Sequence, residues 1–271
     1  MKKTFAYAVA LAMTIISIYS CSNIEIATFE DCYKETAKIS ENCYVSVADT
    51  IQYYDKFGRK AVMNRLNDEI VKFCFGEQFA GKTVEESHKA LSDSLRNDWN
   101  TNAISLINSD AFSEETAFFY IYEFMNVGSF DTPFKDLQSY KAFKYSYTGG
   151  AHGFGATYYM VLDMRSGARV HEYEMFKEGY KAPVSELIYN ALLKNYPDME
   201  EEFETFNDFS QVRDKEDNPY INGNCKVSDA GISWNFTPYE IASYAAGHFE
   251  VTIPWSDLKP YLSDAFSKKS D

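Results

Sequence analysis

Apolar rows of two different periods constrain this chain more than any other feature. Val62, Leu66, Ile70 and Phe73 recur at helical spacing. Phe118, Tyr120, Tyr122 and Phe124 recur at every second residue, as do Phe143, Tyr145 and Tyr147. The same period returns in Ile232, Trp234 and Phe236 and in Phe249, Val251 and Ile253. A row of period 3.6 covers one helix face, and a row of period 2 covers one strand face. Strands are expected near 31–39 and 43–54, then helices over 59–75 and 84–99, then a strand-rich half. The implied class is α+β: mixed or antiparallel sheets with helices packed on one side, two subdomains in one compact unit.

Local signals sharpen these elements. Gly76 stops the first helix. Thr83 and Glu86 form a capping box opening the second, whose stripe is Val84, Leu91, Leu95 and Trp99, with His88 in the same row. Ala156 to Met164 is apolar on both faces until Asp163 and leads into a turn at Arg165-Ser166-Gly167. A further helix begins at Pro183 and ends before Pro197. The acidic, aromatic stretch 198–217 is expected at the surface. The subdomains are expected at 31–110 and 111–265, followed by a polar tail at 266–271. Aromatic residues make up 17% of the chain, and most lie in strand segments, where they fit a pleated surface. The competing use of such an excess is a carbohydrate platform.

The N-terminus reads as an export signal. Lys2 and Lys3 precede an apolar run from Phe5 to Ile18, too short to span a bilayer. The run stops at Ile18-Tyr19-Ser20-Cys21, which resembles a bacterial lipobox, with Cys21 as the lipidated residue. The expectation is a signal peptide at 1–20, a tether at 21–30, and a body in the cell envelope, lipid-anchored and extracytoplasmic. Losing Lys2 and Lys3 takes the formal charge from −14 to −16. That balance argues against a nucleic-acid partner, since phosphate binding needs clustered basic residues. It suits a basic protein partner, which such a charge would steer.

Cys32, Cys43, Cys74 and Cys225 allow three disulfide pairings. If 31–39 and 43–54 form a hairpin with Cys43 facing Ile39, Cys32 lies roughly 23 Å from Cys43, too far for a bridge. Cys74 falls on an apolar helix face, as a buried thiol would. No C-x-x-C or H-x-x-x-H spacing occurs, so neither a metal nor a cofactor is expected.

The sharpest local motif is the loop holding Tyr147, Gly149, Gly150, His152 and Gly153. Three glycines in five residues permit close backbone approach and positive φ. One reading is a binding loop with His152 as acid, base or ligand; the other is a Gly-Gly turn between strands.

This loop, the strand 156–164 and the turn at 165–167 resemble the extracytoplasmic domain shared by the anti-sigma factor RsiV and the N-terminal region of the peptidoglycan deacetylase PdaC. Phe236-Thr237-Pro238-Tyr239-Glu240-Ile241-Ala242, Tyr244-Ala245-Ala246-Gly247 and Val251-Thr252-Ile253-Pro254-Trp255 resemble its closing pattern. The resemblance extends over about 30–265, PdaC-like in the first subdomain and RsiV-like in the second. It implies a non-catalytic α+β envelope domain, which in RsiV-like members binds lysozyme. The deacetylase motifs of PdaC and the spanning helix of RsiV are not found here. The expected function is a lipid-anchored envelope binding module, with lysozyme-like protein or peptidoglycan glycan as partner and no catalytic residue. The rival is an envelope-glycan-modifying enzyme using His152 and nearby carboxylates such as Asp163.

Overall fold

The computed structural model describes residues 24–110, 112–198 and 221–270. Six strands form one sheet in chain order: β1 (Glu25–Thr36), β2 (Tyr44–Lys56), β3 (Tyr122–Phe134), β4 (Leu137–Thr148), β5 (Phe154–Asp163) and β6 (Arg169–Val170). A second sheet holds β7 (Cys225–Ser228), β8 (Gly231–Phe236) and β9 (Phe249–Pro254). Up to Asn195 the helices are α1 (Lys60–Phe75), α2 (Val84–Trp99), the single turn α3 (Ser105–Ile107), α4 (Glu172–Met175) and α5 (Lys181–Asn195), and a turn at Trp255–Leu258 and a helix at Asp264–Ser270 follow β9. Neighbouring strands pair antiparallel except β2 and β3, which run parallel. A parallel return needs a long crossover, and α1 and α2 supply it.

The period-two rows decide which face is buried. Val45, Val47, Asp49 and Ile51 of β2 are all buried, while the alternate residues Tyr44, Ser46, Ala48 and Thr50 are half-buried. The buried face lies under α1 and α2, where Leu66 and Ile70 pack with Ile51, Tyr140 and Met160. The reverse face is covered at β4 and β5 by the small sheet. There Leu137 and Val161 join Val227, Trp234 and Val251, with Val184, Ile188 and Leu192 of α5 in the same core. The order through this region is helices, large sheet, small sheet, helix. This is an α+β fold with a mixed sheet, and β2 and β3 pair across the expected 110/111 boundary between subdomains.

Local signals hold where they are self-contained. The Thr83–Glu86 box closes in both directions: Glu86 N–H donates to Thr83 Oγ1 at 3.1 Å and Thr83 N–H to Glu86 Oε2 at 2.9 Å. Gly76, at φ 114°, donates its N–H to the Lys72 carbonyl and ends α1.

Four expectations are corrected. The strand expected at 118–124 starts only at Tyr122, because residues 114–120 form a 3-10 turn. Ala117 is buried in the Trp99 cluster, and Trp99 Nε1 donates to the Tyr120 carbonyl, fixing that turn. The tether expected at 21–30 is strand from Glu25 onward, since β1 pairs along its length with β2. Of the expected polar tail at 266–271, residues 266–270 belong to a C-terminal helix, Asp264–Ser270, with Phe266 in the core and Lys269 paired to Asp136. In the first hairpin Ala37 N–H donates to Cys43 O, so Cys43 lies opposite Ala37 and not Ile39, while Cys32 faces Ala48. The four cysteines are free: Cys32 is exposed, and Cys43, Cys74 and Cys225 are buried in three different clusters. The lipidation residue Cys21 and most of the acidic stretch 198–217 lie outside the described residues.

Candidate binding face

The glycine-rich loop connects β4 to β5, and its glycines answer to two separate constraints. Gly149 has φ 85°, and a Cβ there would stand 2.3 Å from the Phe119 carbonyl oxygen. Gly153 carries the Tyr145 ring so closely that a Cβ would stand 2.4 Å from its hydroxyl oxygen. The Tyr147 hydroxyl lies 2.8 Å from the Gly150 carbonyl oxygen and 3.1 Å from that of Phe118. The loop is thereby pinned both to its own strand and to the 3-10 turn at 114–120.

The other side of the loop meets the closing motif. Glu240 accepts a hydrogen bond from Thr237 N–H at 2.5 Å and another from Asn222 Nδ2 at 3.1 Å, which tightens a turn. Ile241 anchors that turn in the core, while Tyr239 takes φ 72° and is 60% exposed. A non-glycine residue in that region is strained, and here the strain holds a tyrosine in solvent. Tyr244 stacks on His152, with centroids 4.4 Å apart and planes at 24°, and donates its hydroxyl to the Gly153 carbonyl at 3.0 Å. Tyr239 lies 5.6 Å from Tyr244 in turn. Phe118 and Phe119, 43% and 50% exposed, stand with centroids 4.1 Å apart on the turn that contacts Gly149. The result is an exposed array of aromatic rings built around one loop, from three separate parts of the chain.

Further polar and aromatic groups extend along the uncovered face of the large sheet. Tyr44 hydrogen-bonds Glu123, and Lys34 Nζ lies 3.8 Å over the Tyr44 ring. Burial, then that carboxylate, pushes the Tyr44 hydroxyl up to about 12.

His152 is exposed, and its Nδ1 contacts the Gly153 carbonyl oxygen at 3.0 Å. No carboxylate bonds it among the described residues. Asp163 sits at the far end of β5, roughly 30 Å away at about 3.3 Å per residue. There it accepts the N–H groups of Arg165 and Ser166 and shapes the turn before β6. His171 stacks on Tyr173 instead, and His248 is exposed. Among the described residues, no three His, Cys, Asp or Glu side chains gather as a metal site.

Two buried polar groups escaped the sequence reading. Asp49 shares a 2.7 Å hydrogen bond with His88 Nδ1 and accepts Asn126 Nδ2 at 2.8 Å. Each of the three interrupts an otherwise apolar row, a signal the sequence did carry. Glu172, buried at the start of α4, has no such signal.

Comparison with known proteins bears on this fold. A search of curated proteins returned no match. A member of the DUF3298 family from Bacteroides fragilis superposes with a TM-score of 0.79 at 19% identity, over 92% of this chain and 98% of the other. A DUF3298 family protein from Pseudomonas aeruginosa superposes with a TM-score of 0.61 at 13% identity, over 90% and 96% respectively. At these identities the likeness is one of fold. Residues 173–256, which contain the Tyr239–Tyr244 stretch of the aromatic face, match the family described as a protein of unknown function (DUF3298).

Proposed function

We propose that this chain is a lipid-anchored cell-envelope module that binds an envelope glycan through the ring array around His152, Tyr239 and Tyr244. The observation that carries the reading is the stacked, solvent-facing geometry of His152 and Tyr244 on a pinned loop. Exposed aromatic faces held rigid lose little entropy on binding and offer an apolar surface with polar edges, which suits sugar rings. A catalytic role for His152 would draw on a carboxylate partner, and among the described residues its Nδ1 contacts the Gly153 carbonyl oxygen instead. Anchorage rests on the Lys2–Cys21 pattern, and the family context on the resemblance to the RsiV and PdaC envelope domain. A second reading, a basic protein partner such as lysozyme, draws on the formal charge of −14.

The test is retention of the full-length chain on purified peptidoglycan, beside a titration with lysozyme at low and high salt. Retention lost in Tyr244→Ala supports the glycan reading. No retention by the wild-type chain overturns it, and lysozyme binding that weakens with salt would favour the second reading. For the anchor, Cys21→Ala is expected to release the chain from the membrane fraction, and continued membrane retention would remove that assignment.

A further inference from the structure

β1 lies at one end of the six-stranded sheet, and among the described residues its strand partner is β2, on one side. Its 12 residues therefore leave a long row of backbone groups facing outward, a ready template for another strand. The hairpin shows which residues those are. Ala37 N–H donates to Cys43 O, and antiparallel bonding alternates from there along the strand. Odd-numbered residues of β1 bond β2, and the even-numbered ones from Ile26 to Thr36 turn their N–H and C=O away from it. Cys32 fits that pattern, since its N–H donates to the adjacent Asp31 Oδ1 at 2.8 Å. Each of these even-numbered residues is exposed.

The charges along β1 select what can pair there. Two copies related by a two-fold axis pair antiparallel, with outward residues opposite outward residues, so the possible registers are few. Centred on Cys32, the pairing sets Glu30 opposite Lys34 of the second copy, and Lys34 opposite its Glu30. Thr28 then meets Thr36, and Cys32 meets its own copy. The neighbouring registers all oppose like charges. Centring on Asp31 sets that carboxylate against itself, and centring on Glu30 does the same for Glu30. Centring on Tyr33 sets Asp31 against Glu35, and centring on Lys34 sets Lys34 against itself. Like charges directly opposite destabilise a strand pair, and opposite charges favour it.

We infer that β1 is a self-association edge: two copies of this chain join β1 to β1, antiparallel about Cys32, into one continuous sheet. Cys32 and its copy form a hydrogen-bonded pair with Cα atoms about 5.5 Å apart. The Glu30–Lys34 pairs flank it on the face turned away from α1 and α2, where Lys34 Nζ already lies 3.8 Å over the Tyr44 ring. A single strand pair buries a small interface, so the dimer is reversible. Its test reads oligomeric state and is independent of glycan retention.

The experiment is sedimentation equilibrium of the full-length chain in mild detergent over a concentration series. The wild type is expected to pass from monomer to dimer as concentration rises. Glu30→Lys and Lys34→Glu each oppose like charges in both pairs, and each should raise the dissociation constant at least about tenfold. Glu30→Lys combined with Lys34→Glu reverses both pairs and should restore dimerisation to within about threefold of the wild type. Thr28→Pro removes an outward N–H while leaving the bonds to β2, and should weaken the dimer as well. Circular dichroism checks that each variant folds. A wild type that stays monomeric, or single-charge variants that dimerise as it does, would overturn the inference. So would a charge swap that fails to restore the dimer, or an undiminished dimer in Thr28→Pro.

Discussion

Tyr244 stacks face to face on His152 while its hydroxyl donates to the carbonyl of Gly153, the next residue along the loop. One side chain thus clamps both the ring and the backbone of a loop 91 residues away in sequence. The clamp turns two local motifs into a single surface. It also gives His152 an aromatic neighbour.

The two contacts of Tyr244 are separable. Tyr244→Phe keeps the stacked ring and loses the hydroxyl, so it should retain peptidoglycan to within about threefold of the wild type, a single exposed hydrogen bond being worth roughly 0.5 kcal/mol. Tyr244→Ala loses both and should bind at least about tenfold more weakly. Equal retention by Tyr244→Ala and the wild type, in a sedimentation assay, would take this ring out of the binding face.

The two neighbouring glycines differ in kind. Gly149→Ala forces a side chain into φ 85° and against the Phe119 carbonyl, and should cost ~2 kcal/mol or more in urea unfolding. Gly150 also has positive φ, but a Cβ there meets nothing within 4 Å. Its alanine variant should carry the conformational cost alone, about 1 kcal/mol. If Gly150→Ala proved the more damaging, the packing of the loop against Phe119 would be wrong.

His88→Ala leaves Asp49 buried with only its Asn126 partner. The expected loss is roughly 3 kcal/mol, in the range seen when one member of a buried pair is removed. A double-mutant cycle with Asp49→Ala should show a coupling of at least about 1 kcal/mol, because the two side chains share one hydrogen bond. Strict additivity would show that the pair does not act as a unit.

Glu172 sets a pH dependence of stability. Its carboxyl titrates near pH 7 in the folded chain, against about 4.3 in an unfolded one. Between those values the folded state holds a proton that the unfolded state has released, so stability falls as pH rises. The contribution is complete below about pH 4.3 and gone above about pH 7, a span of roughly 4 kcal/mol. Glu172→Gln, neutral throughout, should therefore gain about 2–3 kcal/mol on the wild type between pH 5 and pH 8 in denaturant melts. A difference that does not change with pH would place the Glu172 carboxyl in an ordinary, solvated setting.

What the sequence determined by itself was whatever a few neighbouring residues decide among themselves. The capping box at Thr83 and Glu86, the stop at Gly76, and the strands of Phe143–Tyr147 and Phe249–Ile253 rest on contacts a few residues apart, and each stands in the structure. The class of fold followed from them. Periodicity failed where a distant partner competed: Phe118 to Tyr120 have strand spacing, but burial of Ala117 under Trp99 winds them into a turn that leaves two phenylalanines in solvent. The tertiary structure alone decided which motifs meet. The glycine loop and the Tyr239–Tyr244 turn were each visible as patterns, yet their docking depends on the small sheet packing over β4 and β5. Asp49, His88 and Asn126 likewise showed only as interruptions of apolar rows until β2, β3 and α2 came together. Burial of a polar group is a property of the whole packed chain, because desolvation depends on every element that surrounds it. Glu172 has no sequence signature for that reason, and its setting comes from α4, α5, β7 and β8 together.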